Sequence, residues 1–140
     1  RALPSTPAHA RSWRSIRTVV VGSDGSASAT VAVQAAADLA VKFSATLHVV
    51  CAYPAPEERP DALKVLAAAE ADVRRSGLDP HCHARQGQAA TVLADLAVEH
   101  DADVVVVGNK GMGGAARLLG SVPNTVSHTA PCSVLIVQTV

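Results

Sequence analysis

The sequence predicts an α/β fold of three layers, a doubly wound parallel sheet of five strands with helices packed on both faces. Short runs of β-branched residues alternate with longer alanine-rich segments along most of the 140-residue chain. The short runs are apolar on both faces, as is typical of strands buried inside a parallel sheet. A chain of this length with 49% hydrophobic residues is expected to form one domain with its own core.

The first strand and the first helix follow from residue type. Residues 18–21 are a short β-branched run that ends at Gly22, which predicts a strand. Residues 26–43 are rich in alanine and contain neither glycine nor proline, so we expect a helix there. The hydroxyl of Ser26 or Ser28 can cap that helix by accepting from an unpaired backbone N–H.

The middle of the chain predicts two more strands around a second helix. We expect a strand over 46–52, followed by a proline-rich loop over 54–60. Residues 61–76 have a helical pattern, and Gly77 is a usual stop at the carboxyl end of a helix. Residues 81–85 predict a weak third strand.

The last third of the chain completes the alternation. Residues 88–100 predict a helix with one apolar side, and residues 103–107 predict a strand of almost pure valine. Residues 121–129 are expected to be helical, and residues 133–137 predict the last strand. With five parallel strands the common order is 2-1-3-4-5 or a close variant of it.

Composition and charge exclude several classes of protein. Twelve basic and twelve acidic residues give zero net charge, and only three residues are aromatic, so we expect no nucleic-acid partner. The longest apolar stretches are about seven residues, too short to span a membrane, and no signal peptide is visible. Three cysteines without a CxxC pair suit reduced thiols inside a cell.

The start of the chain differs in composition from the remainder. Two prolines, several serines and no helical or strand period predict a flexible tail or linker over 1–16, followed by a single domain over 17–140. The chain begins with Arg1 and not with methionine, which is compatible with a piece of a longer protein.

Two loops concentrate small polar residues and glycines. One is residues 22–26, Gly-Ser-Asp-Gly-Ser, after the first strand, and the other is residues 108–121, after the fourth. Five of the nine glycines lie in the second loop, at positions 108, 111, 113, 114 and 120. In doubly wound sheets ligands bind beyond the carboxyl ends of the strands, where the strand order reverses. Both loops are therefore candidate binding loops.

The second loop has the chemistry of a phosphate site. Glycine lets a ligand approach the backbone closely, and successive N–H groups can form an anion-binding concavity. Gly120 and Ser121 then begin a helix, whose first N–H groups and positive dipole end favour phosphate. Lys110 and Arg117 could neutralise phosphate charge or could be solvated cations. The alternative for the whole loop is an ordinary flexible connection.

Four segments, in the same order, resemble the universal stress protein family. They are Val-Gly-Ser-Asp-Gly-Ser at 21–26, Val-Val-Gly-Asn-Lys-Gly at 106–111, Leu-Leu-Gly-Ser-Val at 118–122 and Ala-Pro-Cys-Ser-Val-Leu-Ile-Val at 130–137. The resemblance covers about residues 17–139. It implies a Rossmann-like fold with strand order 3-2-1-4-5, a cytoplasmic homodimer and, in one branch of the family, ATP bound between the first and fourth strands.

That branch carries the pattern Gly-x2-Gly-x9-Gly-Ser/Thr, and four residues match it: Gly108, Gly111, Gly120 and Ser121. Here eight residues, instead of nine, separate the second and third glycines, and Pro123 stands where members often have a hydroxyl residue. The resemblance implies ATP, with or without Mg²⁺, and together with the loop chemistry it predicts a site formed by Gly22, Ser23, Asp24, Val49, Gly108, Lys110, Gly111, Gly113, Arg117, Gly120, Ser121 and Val122.

Asp24 and Val49 have assigned roles only through this resemblance. Asp24 would contact the adenosine end of the nucleotide, and its alternative role is an Asx turn within its own loop. Backbone atoms of Gly22, Ser23 and Val49 would line the adenine pocket. The side chain of Val49 by itself indicates only a core position.

The histidines give little sign of a metal site. His81 and His83 flank Cys82 on a predicted strand, where side chains alternate, so the two imidazoles share one face and the thiol points away. No further ligand pattern accompanies them, and no metal site is predicted. His48 and His128 are single histidines within apolar patterns and are expected to be structural.

The leading hypothesis is an ATP-binding stress or signalling module in which the nucleotide shifts a population of states. No nucleophile elbow, HExxH motif or Walker lysine is present, so no catalytic residue is predicted and hydrolysis is expected to be weak at most. The alternatives are an interaction module of the same fold that binds no nucleotide, and a slow ATPase.

Residues 133–137 are expected at the edge of the sheet. They carry no lysine, proline or charge and are apolar on both faces, so their open backbone groups favour pairing with a second copy of the chain. We therefore expect a homodimer through this strand. The alternative is that residues 1–15 cover the edge within one chain.

Overall fold

The computed structural model describes residues 16–109 and 132–138. Almost all of the predicted tail, the predicted helix over 121–129 and the loop beyond residue 109 lie outside the described residues. Ile16 is only 4% exposed and packs into the core, so the buried part of the described chain begins at its first residue.

Five strands and three helices alternate along the described residues. The strands are β1 (Thr18–Gly22), β2 (Thr46–Tyr53), β3 (His81–Gln86), β4 (Val104–Gly108) and β5 (Ser133–Val137). The helices are α1 (Ala27–Phe43), α2 (Arg59–Arg74) and α3 (Ala89–Glu99). Each element predicted for this part of the chain is confirmed, and none of its ends moves by more than two residues.

The five strands form one parallel sheet in the order β3-β2-β1-β4-β5. This confirms the order that the family resemblance implied, and it differs from the commonest order for five strands because β1 lies at the centre. The chain builds outward from β1 through β2 to β3 and then crosses to the other side of β1 to form β4. The strand order therefore reverses between β1 and β4.

Helices cover both faces of the sheet. On one face α1 packs against β1 and β4, and α2 packs against β2 and β3; on the other face α3 packs against β1 and β2. Alternate valines of β1 enter opposite layers, with Val19 and Val21 toward α1 and α2 and Val20 toward α3. Because all three are fully buried, each contributes roughly 1.5–3 kcal/mol to stability.

Helix α1 begins and ends as its sequence predicts. The Ser26 hydroxyl accepts from the Ala29 N–H at 3.1 Å, which settles the cap between the two serines considered. Ser44 closes the helix in the left-handed conformation, at φ 55°. The buried face is nearly all alanine: Ala29, Ala32, Val33, Ala36, Ala37 and Ala40. These small side chains let the helix lie close to the sheet.

Helix α2 begins earlier than its sequence suggests. The prediction placed Pro60 in a loop, whereas the helix starts at Arg59 and holds the proline in its first turn. Proline is tolerated there because its missing N–H would have no intrahelical partner. A 3-10 turn, Pro56–Glu58, leads into the helix, and Gly77, at φ +87°, follows its carboxyl end.

β5 is an edge strand, as predicted. It pairs with β4 from Val104↔Ser133 to Gly108↔Val137, and Leu135 and Ile136 are 42% and 50% exposed. Among the helices of the described ranges, none has the length and hydropathy that a membrane span requires.

Candidate functional site

The loop after β1 and the start of the loop after β4 emerge side by side. β1 and β4 are paired neighbours, and both end in a buried glycine, Gly22 and Gly108. Neither glycine has a side chain that would cover the backbone at this edge. The absence of a Cβ at these two positions allows a ligand to approach the backbone closely once it reaches them, at the point where the strand order reverses.

The loop after β1 is held by its own polar side chains. Ser23 is 5% exposed, its N–H donates to the carbonyl of Val50 at 2.9 Å, and its hydroxyl accepts from the Gly25 N–H at 3.2 Å. Asp24 Oδ1 accepts from the Ser26 N–H at 2.9 Å, which is the Asx turn considered as its alternative role. Gly25 adopts φ +83°, a conformation that side-chain-bearing residues rarely take.

The start of the second loop is tied to the edge strand. The Asn109 N–H donates to the carbonyl of Val137 at 2.9 Å and so extends the pairing of β4 with β5 by one bond. The remaining predicted residues of this loop lie outside the described residues. They are Lys110, Gly111, Gly113, Arg117, Gly120, Ser121 and Val122.

Val49 lies one strand away from the two loops. Its side chain is fully buried in the layer between the sheet and α1 and α2, which agrees with a core position. Its Cα pairs with Val21, next to Gly22, so its backbone runs beside the end of β1. The structure thus brings four of the predicted residues, Gly22, Ser23, Val49 and Gly108, into one region, with Asp24 in the adjoining turn.

A cleft of about 270 Å³ adjoins the first loop between α1 and α2. Ser23 and Gly25 form one wall, Thr30 of α1 another, and Lys64 and Asp72 of α2 contribute one charge of each sign. This volume lies just below the usual range of small-molecule pockets, so the cleft suits part of a ligand. Val33, Val65, Ala68 and Ala69 give the cleft an apolar lining, and a methyl group of Val65 lies 3.0 Å from the place a Cβ on Gly25 would occupy.

The Asp24 carboxylate also affects the ionisation of Cys51, a buried residue of β2. Burial raises the pKa of the Cys51 thiol, and the negative charge of Asp24 raises it further. The thiol of Cys51 therefore stays protonated near neutral pH. It behaves as a small buried apolar group and not as a nucleophile.

A second group of polar side chains lies elsewhere, and the sequence pattern did not reveal it. His48 of β2, His83 of β3 and His100 at the end of α3 bring their ring nitrogens within 4.8 Å of one another. The strand register confirms that His81 and His83 share a face while Cys82 points to the opposite layer. His48 was expected to be an isolated structural residue. Its proximity to His83 follows from the register between β2 and β3, which cannot be derived from a single sequence.

Burial and neighbouring imidazoles control the ionisation of this histidine cluster. Burial is the main reason that the pKa of His48 falls from 6.5 to about 4, and His100, His83 and His81 lower it further. Burial also lowers the pKa of His83. At neutral pH both imidazoles are therefore uncharged.

Comparison with known proteins decides the family. The sequence profile described as "Universal stress protein family" matches residues 15–138, nearly the whole chain. The chain belongs to the universal stress protein family. Universal stress protein Rv1636 of Mycobacterium tuberculosis is 37% identical over 142 residues, an alignment that covers 88% of this chain and 97% of the relative. Universal stress protein Sll1388 of Synechocystis is 36% identical over 83 residues, and the alignment covers 54% of that protein's length.

Solved universal stress proteins share the fold. One, in complex with cAMP, is 37% identical, with a TM-score of 0.75 over 89% of this chain and 98% of the other. Another, from Archaeoglobus fulgidus in complex with dAMP, is 25% identical, with a TM-score of 0.71 over 86% of this chain and 96% of the other. Adenine nucleotides are thus ligands of two structures that resemble this one.

Proposed function

We propose that this universal stress protein binds an adenine nucleotide where the loops after β1 and β4 leave the sheet. One observation carries the proposal: β1 and β4, the neighbouring strands between which the strand order reverses, both end in glycine, which has no side chain to fill the place of a ligand. The nucleotides in the two related structures support the same ligand class. ATP is the specific nucleotide we propose, acting as a regulatory ligand that favours one state of the protein.

The two loops divide the work of recognition in this proposal. The loop after β1 would form one side of the site, with its turn held by hydrogen bonds to Ser23 and Asp24, and Asp24 would accept from ribose hydroxyls. The glycines of the second loop, with Ser121, Lys110 and Arg117, supply backbone and side-chain donors to phosphates. Asp24 is the sole acidic residue in the two loop sequences, so Mg²⁺ would depend on the phosphates for most of its ligands.

Calorimetric titration with ATP, AMP and cAMP tests the site and the nucleotide together. We expect Gly111→Val and Gly120→Ala to abolish binding while the fold persists, because a new side chain would crowd the phosphates. Gly77→Ala is the control, since Gly77 lies in the turn after α2, outside both loops, and has no atom within 4 Å of a new Cβ. Equal affinities in the wild type and the two loop variants would contradict the assigned site.

The alternative of a module that binds no nucleotide has its own test. The loop between Gly111 and Gly120 is one residue shorter than the family pattern, which favours that alternative. Mass spectrometry of the purified, denatured protein identifies any adenine nucleotide carried through purification. Absence of nucleotide there, together with no heat of binding for all three nucleotides, would favour the interaction module.

We expect ATP hydrolysis to be marginal. The two loops contain one carboxylate, that of Asp24, and no histidine, whereas phosphoryl transfer depends on positioned metal ions and an oriented nucleophile. Steady-state phosphate release with Mg²⁺ measures it. Turnover of roughly 1 per second or faster would place the protein among ordinary enzymes.

We also propose that residues 17–140 form a domain that dimerises through β5 in the cytoplasm. Leu135 and Ile136 are 42% and 50% exposed on opposite faces of an edge strand, and pairing with a second copy would cover them and satisfy the open backbone groups. Leu135→Lys or Ile136→Pro should shift the protein toward monomer. Light scattering that gives a monomer for the wild type would contradict the dimer, and cell fractionation tests the compartment.

A further inference from the structure

The histidine cluster is assembled by the fold from three separate elements. The parallel register sets His48 of β2 opposite His81 of β3 and Val50 opposite His83, so these side chains lie on the face covered by α3. His100 ends α3, where its N–H donates to the carbonyl of Leu96 at 3.0 Å, and its ring stacks on that of His48 with centroids 4.1 Å apart. The cluster therefore converges through tertiary packing.

The donor atoms lie close enough to share one ion. His48 Nδ1 and His83 Nε2 are 2.9 Å apart in a hydrogen bond, and the three ligand nitrogens of His48, His83 and His100 all lie within 4.8 Å of one another. Two nitrogens bound to one tetrahedral Zn²⁺ at 2.0–2.1 Å stand about 3.3 Å apart. Metal binding would replace the hydrogen bond between His48 and His83 and would turn the stacked rings, because the lone pair that binds a metal lies in the plane of its imidazole.

The donor set determines which ions suit it. All three donors are imidazole nitrogens, which bind borderline transition metals such as Zn²⁺, Ni²⁺ and Cu²⁺, whereas Mg²⁺ and Ca²⁺ prefer oxygen. We propose that His48, His83 and His100 form a binding site for a divalent transition metal of the Zn²⁺ class. Three histidines leave the fourth tetrahedral position to water or to an outside ligand.

Burial and charge around the cluster fit such a site. His48 is 6% exposed and forms its floor, while His83 and His100 are partly exposed and give an ion a path from solvent. Beside them Arg85 donates to Glu99 at 2.8 Å, so the nearest charged pair carries no net charge. The site would therefore take up a dication without a local excess of positive charge against it.

The proposed metal site is separate from the proposed nucleotide site. His48 is the third residue of β2 and His81 the first of β3, so the cluster lies toward the amino ends of the strands. The glycine-ended loops lie at the carboxyl ends of β1 and β4. Either proposal can thus fail without the other.

The test is Zn²⁺ binding by the chain without an affinity tag, measured by equilibrium dialysis with metal analysis and by calorimetry. We expect one Zn²⁺ per chain and a higher melting temperature with Zn²⁺ but not with Mg²⁺. His83→Ala and His100→Ala should each weaken binding at least about tenfold, since the loss of even supporting residues around a metal commonly costs ten- to hundredfold. Buried His48 is best probed without mutation, by the ¹⁵N shifts of its ring on adding Zn²⁺.

Two matched variants make the result decisive. His81→Ala removes an exposed imidazole from the same strand and face that is not one of the three grouped ligands, so it should weaken binding less than either His83→Ala or His100→Ala does. Cys82→Ser removes the neighbouring thiol on the opposite face and should have no effect. The proposal is overturned if dialysis finds no bound Zn²⁺, if His83→Ala and His100→Ala bind as tightly as the wild type, or if Cys82→Ser is the variant that loses it.

Discussion

The two ends of the sheet present opposite kinds of surface. At the carboxyl ends, β1 and β4 finish in glycines, and the adjoining loop offers mainly backbone groups fixed by Ser23 and Asp24. Toward the amino ends, the histidine cluster offers side chains from β2, β3 and α3. A surface built from backbone depends on conformation, whereas one built from imidazoles depends on protonation. The two ends should therefore respond to different perturbations.

The largest expected effect is loss of stability in acid at the histidine end. The pKa of His48 falls from 6.5 to about 4 on folding, chiefly through burial, so the unfolded chain takes up a proton more readily between these pH values. The contribution of His48 to the free energy of unfolding is therefore fully present above about pH 6.5. It decreases by about 3 kcal/mol as the pH falls to about 4. Urea unfolding of the metal-free protein, with a chelator present, measures this loss.

The control for this prediction is His48→Gln, which keeps a polar side chain but does not titrate. The charged and titratable groups around His48 are His81, His83 and Arg85 of β3 and Glu99 and His100 at the end of α3. Burial also lowers the pKa of His83, which adds a contribution in the same direction. The variant should lose most of the slope between pH 4 and pH 6.5. An unchanged slope would mean that other groups govern the acid response.

The next effect is at the glycine end and is conformational. Gly25→Ala should cost about 2 kcal/mol, because the positive φ costs about 1 and squeezing Val65, 3.0 Å from the new Cβ, costs about 1 more. Gly77→Ala should cost about 1 kcal/mol, since its φ is nearly the same but its surroundings are open. Thermal unfolding of the two variants compares them. An equal loss of stability in the two variants would show that the Val65 side chain moves away from the new Cβ without an energetic cost.

The smallest effect is at the cap that joins this loop to α1. Ser26→Ala removes the acceptor for the Ala29 N–H and should cost about 1 kcal/mol. Ser26→Asp keeps an acceptor and adds a favourable charge at the helix start, so it should retain the stability. The same unfolding measurement applies. If Ser26→Asp were as unstable as Ser26→Ala, the capping bond would not be the source of the loss.

The local structure of the turn after β1 was easier to predict than the histidine cluster for a physical reason. Residues 22–26 are consecutive, and turn chemistry acts over a few residues, so the Asx turn of Asp24 and the cap at Ser26 could both be considered from the sequence alone. His48 and His83 are 35 residues apart and meet only because β2 and β3 pair in one particular register. A shift of that register by one residue would send one of the two to the opposite face.

The fold itself was predictable because its signals are local and agree with one another. Valine runs predicted β1 and β4, and an alanine-rich stretch without glycine predicted α1. The start of α2 was placed two residues late because Pro60 marks both loops and first helical turns equally well. The position of β1 at the centre came from the family resemblance, since the order of elements along a chain does not fix their order in a sheet.

The alanine-lined face of α1 bears on how this molecule can move. Sliding of one packed layer over another proceeds through changes of side-chain rotamer at the contact, and alanine has no rotamers to change. Five of the six buried residues of α1 are alanines. We therefore expect this helix and the strands beneath it to move together as one rigid unit. A conformational change that begins in the loop before α1 would then be transmitted by movement of the other helices relative to α1.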